Sequence, residues 1–268
     1  MRFIGIGGAT PSIMIDRLGD DWRGTAIMDA YRQSGVHTGY LEVVPDCTSS
    51  IATILVRQAD GARAIAYCPG NTAEFSPADV PAEAIAAARI LHINGRYPDA
   101  CLRACQIARQ AGAKVSFDGG AQRYRPEIRP LVALTDIGIV ALDFARQYTG
   151  HVEVDAAARA LLAEGMELAV ITDGVRGSWI YPRNGEPFHQ PAFPQLDVVD
   201  TTGCGDTYHG AFLFGLASGW PLRECARLAS RVAAENCRFL GGRGVLSILR
   251  DEGHAGLTSP YAATTSHE

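Results

Sequence analysis

Short apolar runs alternate with alanine-rich stretches from about residue 50 onward. The runs predict strands at 88–95, 114–119, 135–142 and 167–174, and the alanine-rich stretches predict helices at 98–112 and 154–165. Gly112 and Gly165 end the two helices, as glycine commonly does. Strands and helices that alternate at this spacing indicate right-handed crossovers and a parallel sheet covered on both faces. The predicted fold class is therefore α/β.

Two segments depart from this alternation of strands and helices. Residues 48–70 contain two strand-like runs around Asp60-Gly61, and residues 178–190 contain a similar pair around Asn184-Gly185. Both dipeptides favour tight turns between antiparallel strands. We therefore expect two β-hairpins beside the parallel sheet.

Composition narrows the class of protein. The chain has 268 residues, of which 47% are hydrophobic and 20% are charged, so it is long enough to bury one sizeable core. Its formal net charge of -5 argues against a nucleic-acid partner, because such proteins need a clustered basic surface. No apolar run reaches the roughly 18 residues of a membrane span, and glycines interrupt the N-terminal apolar residues. We expect a cytoplasmic protein without a membrane partner.

Cysteine usage fits a reducing compartment. The seven cysteines include no CxxC pair, so neither a disulfide framework nor a zinc site is predicted.

The stretch "DTTGCGDTYHG" (200–210) carries the clearest chemical signal. It joins a strand that ends near Val199 to a predicted helix, and Gly203 and Gly205 leave the backbone bare at the turn. Unpaired N–H groups and the helix dipole at such a turn bind anions. Asp206 lies in the first helical turn, either as a partner of the helix dipole or as a general base beside an anion hole.

Two other phosphate-binding loops fit less well. No lysine follows Gly205, which excludes a Walker A loop. The N-terminal "GIGGAT" has Thr10 where a dinucleotide fingerprint needs its third glycine.

The motif "DTTGCGDTYHGAF" resembles the C-terminal signature of the PfkB (ribokinase-like) sugar kinases, DTxGAGDxFxGAF. Residues 19–38 resemble the GxDxxG segment of that family, and residues 170–181 resemble its nucleotide segment. The resemblance implies a three-layer α/β sandwich with a mostly parallel central sheet and a small β-hairpin lid. It also implies an ATP-dependent carbohydrate kinase that forms a single domain over 1–268, with the lid contributed by about 40–70.

The same resemblance assigns roles to residues. It implies that Gly203, Cys204 and Gly205 form an anion hole for the γ-phosphate, and that Asp206 deprotonates the acceptor hydroxyl. It places six residues against the nucleotide, namely Thr172, Gly174, Gly177, Thr201, Asn236 and Gly242. It implies that Mg²⁺ accompanies ATP, and that Asp200 and Thr202 hold a monovalent cation such as K⁺.

The acceptor site is expected to include Asn94, Arg123 and Asp206. "HINGRYPDA" (92–100) resembles ketohexokinase and sulfofructose kinase members, and Gly7 and Gly8 resemble a remnant of the family's GGxxxN helix. Arg123 offers a planar fork for an anionic group, although a solvated surface arginine is the alternative. The specific expectation is 6-deoxy-6-sulfofructose or fructose. A nucleoside kinase of the same fold and a non-catalytic sugar or nucleotide sensor are the alternatives.

Three departures from the family pattern bear on function. The usual NxxE is replaced by Ala141 and Phe144, with Asp143 between them, so the sequence names no protein ligand for magnesium. The chain reaches Gly19 early, and we expect the sugar-binding lid to be shortened or carried by the hairpin at 48–70, where the resemblance also implies a homodimer contact. Cys204 replaces an alanine, either as a tolerated small side chain or as a thiol acidified by the helix N-terminus.

Overall fold

The computed structural model describes residues 3–6, 12–195 and 197–246. The predicted substrate-binding residues Gly7 and Gly8 therefore lie outside the described residues. The chain divides into two compact units. Unit 1 consists of Met1–Thr53 and Ile65–Pro191, and unit 2 consists of Ile54–Ala64 and Ala192–Glu268. A single kinase domain over 1–268 stays a prediction.

The described residues contain eleven strands and eight α-helices. The strands are β1 (Phe3–Ile6), β2 (Ile13–Gly19), β3 (His37–Val44), β4 (Ile51–Val56), β5 (Arg63–Cys68), β6 (Ile90–Ile93), β7 (Lys114–Gly119), β8 (Ile137–Ala141), β9 (Leu168–Thr172), β10 (Ser178–Pro182) and β11 (Phe188–Gln190). The helices are α1 (Trp22–Gln33), α2 (Ala82–Ala86), α3 (Pro98–Gln110), α4 (Arg129–Val132), α5 (Leu142–Thr149), α6 (Val154–Ala163), α7 (Cys204–Ala217) and α8 (Leu222–Asn236).

Nine of the described strands form one sheet in the order β11-β10-β9-β8-β7-β6-β1-β2-β3. Strands β6 to β9 are mutually parallel, and β2 is parallel to β3. Strand β1 runs antiparallel to both of its neighbours, as do β10 to β9 and β11 to β10. Seven of these nine strands, all except β1 and β10, therefore run in the same direction. This mostly parallel sheet confirms the predicted α/β class.

The central strands are buried along nearly their whole length because helices α3, α5 and α6 pack against them. Phe117 of β7 and Phe144 of α5 lie in this core, and their ring centroids are 5.7 Å apart. Strands that are buried on both faces need continuous apolar runs, which is the pattern that predicted them. The parallel order brings the carboxyl ends of β6 to β9 to one edge of the sheet.

Both predicted hairpins are present. Strands β4 and β5 form a separate two-stranded sheet, and β10 pairs with β11. In the first hairpin Gly61 has a φ of 66°, and its N–H donates to the carbonyl of Arg57 at 2.9 Å. Arg57 in turn pairs with Asp60 through two hydrogen bonds. Glycine is needed at this position because other residues rarely adopt such a φ.

Among the described helices, none combines the length and the apolar composition that a bilayer crossing requires.

One buried carboxylate links two core strands and supports a prediction about stability. The Oδ2 atom of Asp136 accepts from the backbone N–H of Val115 at 2.8 Å, and its Oδ1 atom accepts from Arg109 Nη1 at 3.2 Å. We expect Asp136→Ala to lower the free energy of unfolding by about 1–3 kcal/mol, because it leaves a buried N–H group without a partner. Asp155→Ala removes an exposed ion pair to Arg159, and we expect it to cost much less.

Chemical denaturation of the two variants measures both changes. An Asp136→Ala protein as stable as the Asp155→Ala protein would contradict the expectation.

Candidate anion-binding site and the carboxyl edge of the sheet

Helix α7 begins at a glycine that no other residue can replace without strain. Gly203 is the N-cap of α7 with a φ of 72°. A Cβ atom on Gly203 would lie 2.4 Å from Cα and 2.7 Å from the carbonyl oxygen of Gly242. The left-handed conformation and the backbone contact therefore both require glycine. Together they fix the direction in which α7 leaves the loop at 200–203.

The N–H groups at the start of α7 are available to a ligand. The backbone N–H groups of Gly205 and Asp206 have no hydrogen-bond partner among the described residues, and the N–H of Cys204 lies 3.5 Å from the carbonyl of Thr201. Among the described residues, and apart from the adjoining helix backbone, no atom lies within 4 Å of the position that a Cβ atom on Gly205 would occupy. Unpaired N–H groups at the positive end of a helix bind anions. The N–H groups of Gly205 and Asp206 could therefore meet an anion, and an anion hole formed by Gly203, Cys204 and Gly205 stays a prediction.

The Asp206 side chain is exposed to solvent. Within the described part of the chain it makes no hydrogen bond and no ion pair, and it does not cap α7. Its carboxylate sits one residue after Gly205, beside the unpaired N–H groups. A carboxylate in this position can accept a proton from a ligand that approaches the same N–H groups.

The carboxylate of Asp200 stabilises the loop at 200–203 from a buried position. It is buried, and its oxygens accept from the N–H of Thr202 and the N–H of Gly241, both at 2.8 Å. Burial alone would raise the pKa of Asp200, but polar contact with the Thr202 side chain and the two N–H donors outweigh burial and lower the pKa. Asp200 is therefore a buried anion that joins two loops.

The predicted cation ligands Asp200 and Thr202 lie together. The Thr202 hydroxyl oxygen is buried and makes no hydrogen bond of normal geometry among the described residues. A buried carboxylate beside an unsatisfied hydroxyl oxygen is a donor set of the kind that hard cations accept. These residues therefore fit the predicted monovalent cation.

Arg63 lies at the same loop, and no sequence motif indicates it. Its Nη1 atom donates to Thr201 Oγ1 at 2.9 Å, and the Thr201 hydroxyl donates to the Gly61 carbonyl at 2.9 Å. The charge of the exposed Arg63 also helps to lower the pKa of Asp200, after the larger contributions already given. Thr201, which the sequence predicts at the nucleotide, thus anchors the loop to the turn of the first hairpin. A positive side chain is placed where an anion would be bound.

Asn236 supports the loop from beneath. It is fully buried at the end of α8, and its Nδ2 atom donates to the Thr202 carbonyl at 2.9 Å. Its Oδ1 atom lies 3.4 Å from the N–H of Val245. These contacts show Asn236 and Gly242 as supports of the loop; direct contact of either with a nucleotide stays a prediction.

Two thiols meet at the start of α7. The Sγ atoms of Cys204 and Cys237 are 3.1 Å apart, and neither cysteine is in a disulfide. Their hydrogen bond raises the pKa of Cys204, with burial adding to the effect, and lowers the pKa of Cys237 to about 7. The acidic thiol is therefore Cys237. This direction does not support an acidified Cys204 thiol, because the hydrogen bond to Cys237 and burial both raise the pKa of Cys204.

In unit 1, polar residues gather at the carboxyl edge of the sheet. Asn94 follows β6 and Asp118 lies near the end of β7, where the pairing of Ile93 with Phe117 sets them side by side along the edge. Asp118 is buried, and its Oδ2 atom accepts from Arg123 Nη1 at 2.8 Å. Arg123 is half-exposed. It is thus held by an ion pair at the sheet edge, unlike a freely solvated surface arginine.

Asp118 and Asp143 are site features that the sequence motifs did not single out. Asp143 Oδ2 accepts from the backbone N–H of Gln122 at 2.7 Å, and Gln122 has a φ of 58°. Asp143 therefore stabilises the loop that carries Arg123. Phe144 is fully buried in the core. The positions that replace the NxxE motif thus support packing and loop geometry.

The predicted nucleotide residues of unit 1 follow the next parallel strand. Thr172 ends β9, and Gly174 and Gly177 flank a single 3₁₀ turn with φ values of 52° and 87°. The N–H of Asp173 donates to the Gly177 carbonyl at 2.9 Å, which closes the turn. Apart from the two adjacent residues, no atom of the described part of the chain lies within 4 Å of a Cβ position on Gly174, which leaves space there for a ligand.

The predicted site residues thus fall into two groups. Unit 2 brings together Asp200 to Asp206 with Asn236 and Gly242. Unit 1 brings Asn94, Arg123 and the turn at 174–177 to the carboxyl ends of parallel strands, the usual position of ligands in open α/β sheets. Within the ranges that the structure describes, no group of three or more His, Cys, Asp or Glu side chains could hold a metal ion.

Comparison with known proteins identifies the family to which the chain belongs. A family model described as pfkB family carbohydrate kinase matches residues 9–247. The chain is 30% identical over 248 residues to the aminoimidazole riboside kinase of Salmonella typhimurium, covering 87% of this chain and 77% of that protein.

Solved structures agree with this match. The crystal structure of adenosine kinase from Sinorhizobium meliloti aligns with a TM-score of 0.79 and 26% identity, covering 92% of this chain and 79% of that one. Arabidopsis thaliana ribokinase complexed with ribose and ATP aligns with a TM-score of 0.74 and 24% identity, covering 90% and 82%. The ribokinase-like fold is confirmed.

The two glycines at the start of α7 should respond differently to the same substitution. We expect Gly203→Ala to lower the free energy of unfolding by more than about 2 kcal/mol, because alanine is strained at positive φ and would collide with Gly242. We expect Gly205→Ala to leave stability unchanged or to raise it by up to about 1 kcal/mol, because alanine is the better helix former and has room.

Gly210→Ala is the matched control, since Gly210 lies in the same helix with equally open space. Thermal and chemical denaturation measure all three variants. Equal destabilisation by Gly203→Ala and Gly205→Ala would contradict this account of the turn.

Proposed function

The chain belongs to the pfkB family of carbohydrate kinases, and on that premise we propose that it transfers the γ-phosphate of ATP to a hydroxyl of a ketose or furanose sugar, with Asp206 as the general base. The observation that carries the proposal is the exposed carboxylate of Asp206 beside the N–H groups of Gly205 and Asp206, all of which lack a partner within the described ranges.

Phosphoryl transfer depends mainly on positioning and on stabilising charge. The N–H groups of Gly205 and Asp206 and the dipole of α7 would stabilise the negative charge of the transferring group. Arg63, held by Thr201, would add a positive charge at the same loop. Asp206 would take the proton of the acceptor hydroxyl as its oxygen attacks phosphorus.

The nucleotide is proposed to contact Thr172, Gly174, Gly177, Thr201, Asn236 and Gly242. Support comes from the open turn at Gly174 and from the ribokinase fold that was solved with ATP. Mg²⁺ is proposed to be held by the ATP phosphates and water, because Ala141 and Phe144 offer no ligand and Asp143 accepts from Gln122. Asp200 and Thr202 are proposed to hold K⁺.

The acceptor is proposed to bind at Asn94 and Arg123. Only Nη1 of Arg123 donates to Asp118, and the other N–H donors of its guanidinium have no partner among the described residues. A planar guanidinium with unused donors suits a sulfonate. This supports 6-deoxy-6-sulfofructose, with fructose as the neutral counterpart.

A nucleoside acceptor is the second candidate. It is favoured by the similarity to an aminoimidazole riboside kinase and to an adenosine kinase. A non-catalytic sensor is disfavoured, because a sensor has no use for an exposed carboxylate beside an anion hole.

Residues from about 40 to 70 are proposed to form a lid through which two copies of the chain pair. Strands β3 to β5 expose six large hydrophobic side chains, Tyr40, Val43, Ile51, Leu55, Ile65 and Tyr67. Every residue of β5 is exposed. A strand pair that is apolar and uncovered is a surface that association would bury.

Substituting the base tests the mechanism. We expect Asp206→Asn to lower kcat by about 10²-fold or more, because the amide cannot accept the hydroxyl proton. ATP affinity should change little, since the N–H groups of α7 remain. Asp99→Asn is the matched control: Asp99 is also an exposed aspartate in the first turn of a helix, so it tests the loss of a dipole partner alone.

Steady-state turnover and calorimetric ATP binding measure these effects. Undiminished turnover in Asp206→Asn, or an equal loss in Asp99→Asn, would remove Asp206 as the base.

The acceptor is tested by ADP release over ketoses, sulfoketoses, phosphosugars and nucleosides. We expect the highest kcat/KM for 6-deoxy-6-sulfofructose or fructose. We expect Arg123→Gln to lower kcat/KM for the sulfosugar by about 10-fold or more, since it removes a charge-assisted contact, and to affect fructose far less. An equal loss for both sugars would assign Arg123 a role in loop structure alone, and a nucleoside as best acceptor would favour the second candidate.

A further inference from the structure

Cys204 and Cys237 form a thiol pair inside the proposed phosphoryl-binding site. We propose that this pair is a modification site, at which a hydroperoxide converts the two thiols into a disulfide that lowers kinase activity reversibly. The effect on activity rests on the proposed function, whereas formation of the disulfide does not.

The geometry is close to that of the product. The two Sγ atoms are 3.1 Å apart, so reaching the disulfide length of about 2.05 Å needs an approach of only about 1 Å. Both residues are partly exposed, which gives small oxidants and reductants access. The two cysteines are separated by 33 residues along the chain, so the bond would close a substantial loop.

The other five cysteines are less suited to this chemistry. Cys101, Cys105 and Cys225 are buried, and Cys47 and Cys68 have no thiol within hydrogen-bonding distance in the described ranges. The Cys204–Cys237 pair is therefore distinguished from them by both proximity and access.

The position of the pair links the bond to the site. Cys204 is the first residue of α7, and Cys237 is the C-cap of α8. Gly203, just before Cys204, is held against Gly242, and the free N–H of Gly205 follows. Drawing Cys204 toward α8 would therefore turn the row of N–H groups rather than shift the whole loop. A misplacement of about 1 Å in a catalytic group can cost about 10²-fold in rate.

The reaction balances with a hydroperoxide as the oxidant. The thiolate of one cysteine attacks the peroxide, the O–O bond breaks, and a sulfenic acid and hydroxide (or alkoxide) are formed. The second thiol attacks that sulfur, the S–O bond breaks, and water leaves with the thiol proton. Two electrons pass from the thiols to the peroxide, and a dithiol such as dithiothreitol returns them by exchange.

The test treats the full chain with hydrogen peroxide, blocks remaining thiols with an alkylating reagent, and maps peptides by mass spectrometry. We expect a Cys204–Cys237 cross-linked peptide and a fall in ATP turnover of 10-fold or more. Dithiothreitol should abolish the cross-link and restore turnover.

Variants separate the pair from other oxidation. We expect Cys237→Ala to keep the basal turnover and to resist peroxide, and Cys68→Ala to stay as sensitive as the unchanged chain. Cys204→Ala should also lack the cross-link. Its turnover after peroxide treatment is compared with the turnover of the same variant in its reduced state. Absence of the cross-linked peptide, or equal inactivation of Cys237→Ala, would overturn the proposal. A reduced enzyme without turnover would remove the proposed function, while peptide mapping would still decide the disulfide.

Discussion

The contact between Gly203 and Gly242 is the constraint on which the site depends. Two backbones approach so closely there that no Cβ fits, and Gly203 takes a left-handed conformation that turns the chain into α7. The buried carboxylate of Asp200 bonds to the N–H groups of Thr202 and Gly241 and so holds the two loops in register. With the loops fixed in this way, the N–H groups of Gly205 and Asp206 and the carboxylate of Asp206 are left without a partner among the described residues. Binding chemistry is thus a consequence of backbone packing.

Much of the fold follows from local pattern. The run at 114–119 coincides with β7, and the helix predicted at 98–112 ends at Gln110, just before Gly112. Buried parallel strands are continuous apolar runs, and glycines mark helix ends, so both signals lie within a few neighbouring residues. The order of the nine strands and the antiparallel course of β1 are not local properties. They arise from pairings between distant segments, which hydrophobic periodicity does not encode.

The same distinction applies to the site. Gly203, Gly205 and Asp206 are contiguous, so a short motif indicates all three. Arg63 reaches Thr201 across 138 residues, and Cys237 reaches Cys204 across 33. No sequence motif surrounds Arg63 or Cys237. An arginine in a hairpin and a cysteine at the end of a helix are both common, so neither residue type indicates a site by itself. Asn236 was placed in the site by resemblance, yet its contacts with the Thr202 carbonyl and with Val245 show how it acts on the loop.

The bond from Thr201 to Gly61 has a consequence for how the protein matures. It joins residues 140 positions apart, and the intervening chain includes most of unit 1. A contact of this range forms only after a long loop has closed, which is slow relative to local structure. During synthesis on the ribosome, the growing chain can order its strands and helices well before this loop is anchored. The loop that carries Gly205 and Asp206 is therefore expected to be anchored after the local structure of unit 1 has formed.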